Sequence, residues 1–129
     1  MKKLVLLLFA FFLALGVRAQ NIYDGSGRYI GRVSDEYFYD GSGSYIGQAR
    51  GEYIYDGSGH YIGRINGNYL YDGSGHYIGQ VIDGYFYDGS GSYIGRISGE
   101  YLYDGSGHLI GRGDGVQRHQ MIIFFYFFM

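Results

Sequence analysis

The chain contains no cysteine, no proline and no tryptophan, and its only lysines are Lys2 and Lys3. Without cysteine there are no disulfides, and thiolate zinc sites, iron–sulfur clusters and thiol catalysis are excluded. A small domain of this composition must be held by packing and strand pairing alone. Positive charge is scarce as well: beyond residue 19 there are seven arginines against twelve acids, a net −5 with histidine neutral. That balance argues against nucleic acid, whose phosphates call for a basic stripe, and against docking on an anionic lipid surface. What the chain has in excess is glycine, 25 residues, and tyrosine, 17. The pairing suggests tight turns joined by short aromatic strands.

The start of the chain reads as a cleaved export signal. Lys2 and Lys3 precede an apolar run from Leu4 to Leu15, and Val17-Arg18-Ala19 offers a cleavage site before Gln20. An uncleaved anchor is the weaker alternative, because the run is short of the ~20 residues a spanning helix needs. The expected product is exported, periplasmic or at the cell surface, and its single domain covers residues 20–129. That length suffices for one small core.

A repeat dominates the remainder. Y-D-G-S-G begins at Tyr23, Tyr39, Tyr55, Tyr71, Tyr87 and Tyr103, always 16 residues apart, within the fuller unit Y-D-G-S-G-x-Y-I-G-[RQ]-φ-x-x-x-Y-φ, where φ is apolar. Each unit carries two turn signals, one in D-G-S-G and a more variable one such as Arg50-Gly51-Glu52. The runs between them are too short for helices and suit strands. The spacing therefore predicts an all-β fold: 16-residue hairpins arranged around an axis in a closed, propeller- or flower-like ring, with an open β-solenoid as the alternative. A lone hairpin is marginal in water, so neighbours must bury one another, and closure removes exposed edges.

Alternation assigns faces. Ile22, Phe38, Ile54, Leu70, Phe86 and Leu102, with Ile30, Ile46, Ile62, Ile78, Ile94 and Ile110, form the expected core. Tyrosines form the other face. Val33, Ala49, Ile65, Val81 and Ile97 have the wrong parity relative to the preceding isoleucine, which a bulge or bend near the intervening glycine would restore. The end of the chain, Met121 to Met129, is wholly apolar or aromatic. It is expected as a buried closing strand or central plug, since strands buried on both faces read as continuous apolar runs. Membrane contact by 121–129 is the less favoured reading.

Candidate chemistry is sparse. Asp24, Asp40, Asp56, Asp72, Asp88 and Asp104 share one repeat position, but one carboxylate per turn is a poor calcium site and a good turn opener. His60, His76 and His108 alternate with Ser and Arg at their position, which suits a solvated turn flank better than a metal site. The G-S-G turns have neither the context of a nucleophile elbow nor the lysine of a phosphate loop. No catalytic, cofactor or metal residues are assigned, and no enzyme activity is expected. The group of most interest is Tyr29, Tyr45, Tyr61, Tyr77 and Tyr93, a possible face for a protein or glycan of the envelope. Structural packing of the same rings is the competing explanation.

The repeated Y-D-G-S-G-x-Y-I-G-[RQ]-φ unit, the leader and the Phe-rich end together resemble the five-fold beta-flower proteins. The resemblance spans roughly Ile22 to Met129. It implies a small exported protein of Gram-negative bacteria, built from short hairpins around an axis, with no established activity. It also sets five-fold symmetry against six turn motifs: either the terminal copies are half-units sharing one position, or the ring has another order. The expected role is a non-catalytic structural or interaction module of the cell envelope, with glycan binding through the tyrosine faces as the alternative.

Overall fold

The computed structural model describes residues 20–129, so the expected export signal at 1–19 lies outside the described residues. Twelve antiparallel strands form a closed barrel in simple up-and-down order. They come as six hairpins, each a four-residue strand followed by a six-residue strand: β1 (Asn21–Asp24) and β2 (Tyr29–Ser34), β3 (Tyr37–Asp40) and β4 (Tyr45–Arg50), β5 (Tyr53–Asp56) and β6 (Tyr61–Asn66). The second half repeats the pattern with β7 (Tyr69–Asp72), β8 (Tyr77–Ile82), β9 (Tyr85–Asp88), β10 (Tyr93–Ser98), β11 (Tyr101–Asp104) and β12 (Leu109–Asp114). Strand β1 pairs with β12, from Asn21 opposite Asp114 to Asp24 opposite Gly111. That pairing closes the ring and rules out the open solenoid. All six turn motifs head complete hairpins, so the ring is six-fold and neither terminal copy is a half-unit.

The three glycines of a unit do three different jobs. A Cβ on Gly41 would lie 3.0 Å from the Tyr29 carbonyl oxygen of the preceding hairpin, so this position lets adjacent tips pack. Gly43 has φ +87° with open space around it, the left-handed geometry a tight loop demands. Gly47 faces the barrel axis, where a Cβ would sit 2.5 Å from the Tyr55 carbonyl oxygen and against the Phe128 ring.

Each hairpin also carries the anticipated bulge. Phe38 pairs with Gly47 and Tyr39 with Tyr45, which leaves Ile46 as the extra residue. This corrects part of the expected core. Ile22, Phe38, Ile54, Leu70, Phe86 and Leu102 are indeed buried, none more than 1% exposed. Ile30, Ile46, Ile62, Ile78, Ile94 and Ile110 are only half-buried, because as bulge residues they belong to neither face. After the bulge the parity flips, so Val33 and Ile97 are buried inside and Ile65, Val81 and Ala49 pack against that core.

Twelve strands enclose more space than their own side chains fill, since about eight already give an interior just wide enough for side chains. The chain's own end occupies the surplus, as helix α1 (Arg118–Ile123) continued by a π-helical turn (Phe124–Phe128). Of the two expectations for 121–129, the central plug holds and the closing strand is corrected, since the segment is helical. A segment surrounded by barrel on every side cannot satisfy its backbone from a neighbour without breaking the ladder, so it bonds to itself. The plug meets the glycine ring almost residue for residue: Phe124 packs at Gly31, Phe125 at Gly95, Tyr126 at Gly79, Phe127 at Gly63, Phe128 at Gly47 and Met129 at Gly111. An α-helix sends 3.6 residues round per turn. The wider, i→i+5 bonded π form carries more per turn and suits a ring of six sockets.

Candidate functional site

Three regions hold the chemistry-bearing side chains, and each follows from the repeat. The first is the ring of hairpin tips. Asp40 Oδ1 accepts the backbone N–H groups of Ser42 at 2.9 Å and Ser44 at 3.0 Å, and the Ser42 hydroxyl at 2.6 Å. The same backbone pattern recurs from Asp24 to Asp104. These bonds hold all six carboxyls below the usual range. The largest cause is the serine hydroxyl in Asp24, Asp40 and Asp88, and the backbone N–H of the following histidine in Asp56, Asp72 and Asp104. His60, His76 and His108 each place Nδ1 3.3 to 3.5 Å from the second oxygen of their own aspartate. The aspartates are therefore turn formers, and each histidine is tied to its own tip.

The second region is the outer wall, which is tyrosine. Alternation sends Tyr37 and Tyr39 outward beside the buried Phe38, and the bulge turns Tyr45 outward while Gly47 points in. Tyr45 lies 6.0 Å from Tyr37 and 5.9 Å from Tyr39, centroid to centroid. Equivalent trios surround Tyr61, Tyr77 and Tyr93. Tyr29, the fifth residue of the expected face, meets Tyr23 at 6.1 Å. Guanidinium groups cover the inner member in four places: Arg32 on Tyr39 at 4.1 Å, Arg96 on Tyr103 at 4.4 Å, Arg112 on Tyr23 at 4.9 Å and Arg64 on Tyr71 at 5.4 Å. The structure thus brings Tyr29, Tyr45, Tyr61, Tyr77 and Tyr93 onto one belt, each between 36% and 41% exposed. It adds Tyr37, Tyr53, Tyr69, Tyr85 and Tyr101 to the same belt, equally open to solvent. Alternation already put these tyrosines on one face; what the bulge between Tyr45 and Gly47 hid was the close approach of Tyr37 to Tyr45 across the hairpin.

The third region has no counterpart in the repeat. At the variable-turn end, α1 enters a mouth wider than itself, and two clefts flank it. One, about 430 Å³, is lined by Asp35, Glu36, Gln117 and His119 above Phe38 and Ala49. The other, about 320 Å³, is lined by Asn68, Asp83, Arg118 and His119 above Ile65 and Ile122. Asp35 and Asp83 have φ of +54° and +51°, where sister turns place Gly51, Gly67 and Gly99. They stand three hairpins apart, on opposite sides of the axis. Gln120, buried, donates to the Asp35 carbonyl at 2.9 Å and locks the helix to the rim. Glu36 accepts from Gln48 at 2.8 Å. These clefts are polar gaps left where a helix meets a six-fold mouth.

In comparison with known proteins, a family model described as 5-fold beta-flower protein matches residues 19–129. The comparisons with curated proteins and with solved structures found no match.

Proposed function

The chain belongs to the 5-fold beta-flower protein family, and from that premise we propose that it is an exported, non-catalytic module of the bacterial cell envelope that grips a macromolecular partner with its tyrosine belt. The observation that carries this reading is the belt itself. The ring turns ten tyrosines outward, each 36% to 47% exposed, although its core needs none of their hydroxyls. Tyrosine offers large, stiff contact area with a polar edge, which is what recurring interaction surfaces use. The six aspartates, by contrast, are consumed in their own turns, and the plug consumes the apolar end. The strands, four or six residues long, are shorter than the ~9–11 residues of a membrane-crossing strand. Among the described residues no helix is long and apolar enough to cross a membrane.

Equivalent faces predict graded behaviour. Replacing Tyr45, Tyr61, Tyr77 and Tyr93 by Ser, one after another, should weaken co-sedimentation of the mature chain with isolated envelopes stepwise. Abolition by the first substitution, or no loss after the fourth, would reject the belt as the contact. Export is tested separately by the N-terminus of the secreted product, expected at Gln20.

A second reading, glycan binding, draws on the alternation of Tyr rings with Arg32, Gln48, Arg64 and Gln80 between them on the outer wall. Rings stack on sugars while the amide and guanidinium groups reach hydroxyls. The chain has no tryptophan, so its emission comes from tyrosine, and ten of the seventeen rings lie on the belt. Titration with envelope polysaccharides that leaves this emission unchanged would refute the glycan reading.

A further inference from the structure

Covalent joining of this domain can use few side chains. Residues 20–129 contain neither cysteine nor lysine, so disulfides and lysine-derived cross-links are both unavailable to the mature ring. Tyrosine is the remaining residue with an oxidative carbon–carbon coupling chemistry, and here it is placed in trios whose inner ring, such as Tyr39, is half-buried while the other two are exposed. Tyr37 and Tyr45 lie on the two strands of one hairpin as diagonal neighbours, a relation that keeps aromatic rings within reach. Their centroids are 6.0 Å apart, and the equivalent pairs Tyr53–Tyr61, Tyr69–Tyr77 and Tyr85–Tyr93 lie at 6.0, 6.2 and 6.1 Å. All eight rings are exposed, between 39% and 47%. An oxidant can therefore reach both members.

We propose that Tyr37–Tyr45, Tyr53–Tyr61, Tyr69–Tyr77 and Tyr85–Tyr93 are sites of intrachain dityrosine formation by a peroxide-driven one-electron oxidant of the haem-peroxidase class. Each phenol gives up one electron and one proton to become a phenoxyl radical. The two radicals join by a new carbon–carbon bond between the ring carbons ortho to the hydroxyls. The hydrogen on each joined carbon then moves to its oxygen, restoring both aromatic rings. The pair has lost two electrons and two protons, which reduce one hydrogen peroxide to two waters. Each bond clasps one hairpin across its D-G-S-G loop. The sixth hairpin contains a built-in comparison: Tyr101 is exposed, but its partner position is Leu109, so no bond forms there.

The inference uses the belt's side chains but does not depend on a partner, and it is tested on the purified mature chain alone. Dilute protein is treated with hydrogen peroxide and a haem peroxidase, then followed by dityrosine fluorescence, intact mass and peptide mapping. The expected product is a monomer that has lost two hydrogens per bond. Its bonds map to the four pairs, spare Tyr101, and form at a rate per molecule unchanged by tenfold dilution. Tyr45→Phe, which keeps the ring, should remove the bond of its own hairpin and keep the other three. Bonds found only between chains, bonds scattered over tyrosines without regard to pairing, or an unchanged map in Tyr45→Phe would each overturn the proposal. Far-ultraviolet circular dichroism confirms that the variant is folded. Should Tyr45→Phe fail to fold, Tyr61→Phe serves as the same test at the next hairpin.

Discussion

The sharpest consequence of a plug seated in glycine sockets concerns Gly63 and Gly111. Both face the axis on six-residue strands, and neither has a positive φ, so backbone strain does not separate them. An alanine Cβ at Gly63 would lie inside contact with Phe127, 2.6 Å from its Cζ, and 2.8 Å from the Tyr71 carbonyl oxygen. Carbon atoms pack best at about 3.5–4.0 Å. The ring would have to retreat by roughly an ångström, and the carbonyl belongs to the ladder and cannot. At Gly111 the nearest atoms are Leu102 Cδ1 at 3.3 Å, Met129 Cε at 3.4 Å and the Tyr23 carbonyl oxygen at 3.4 Å. Two of those three are flexible chain ends. Gly63→Ala is therefore expected to cost about 3 kcal/mol, the upper range for overpacking, lowering Tm by roughly 10–20 °C. Gly111→Ala should stay within about 1 kcal/mol of wild type, helped by the lower unfolded-state entropy of alanine. Thermal unfolding by circular dichroism measures both. In a Phe127→Ala background the cost of Gly63→Ala should shrink by at least 1 kcal/mol, because the colliding ring is gone. Equal costs for the two glycines, or a Gly63→Ala cost indifferent to Phe127, would refute the socket argument.

Other perturbations test other parts of the ring. The six tip carboxyls are held below their ordinary range by hydrogen bonds, so the folded state binds protons less readily than the unfolded one. Their contribution is complete above the unfolded value near pH 4 and is lost as pH falls through the lower folded values. Tm should be flat at mild pH and fall below about pH 4, and Asp40→Asn should blunt that fall. At Asp35, where φ is +54°, a β-branched side chain is a steric outlier. Asp35→Val should destabilise by about 1–2 kcal/mol in urea titration while Asp35→Gly should not. Tyr126 donates to the Tyr87 carbonyl at 3.0 Å from a half-buried site, and burial pushes its phenol well above the ordinary range. Its neutral form is favoured by folding, so that stability is full below about pH 10 and declines above it. Tyr126→Phe should cost about 0.5–1.5 kcal/mol at neutral pH through the lost bond and lessen the alkaline decline.

Much of this architecture was legible in the 16-residue period. Runs such as Tyr37-Phe38-Tyr39 alternate too plainly to be anything but half-buried strand, and they assigned Phe38 to the core and both tyrosines to the wall. Isoleucines such as Ile46 were misplaced because alternation assumes an unbroken pleat, and the extra residue of the bulge falls on them. The parity conflict at Ala49 was the visible trace of that bulge. The terminal run was read as a closing strand or a central plug, and its helical form was not foreseen, because a wholly apolar run shows no period to tell helix from strand. Counting strands would have settled it, since a ring of twelve needs a filler that only 121–129 could supply. The tyrosine face was accessible from symmetry, although its pairing across the bulge was not. The clefts beside α1 were invisible, because they arise where an unrepeated helix meets a repeated rim.

The ring holds its shape by closing around its own tail, and removing that tail is the most direct test. A chain of residues 20–117 lacks α1 and the π-helical turn but keeps every strand. Its thermal unfolding, followed by near-ultraviolet tyrosine dichroism, should show no cooperative transition, with dye binding to the exposed interior. A truncated chain that unfolds cooperatively at the Tm of the full chain would show that twelve strands close without a plug, contradicting the account.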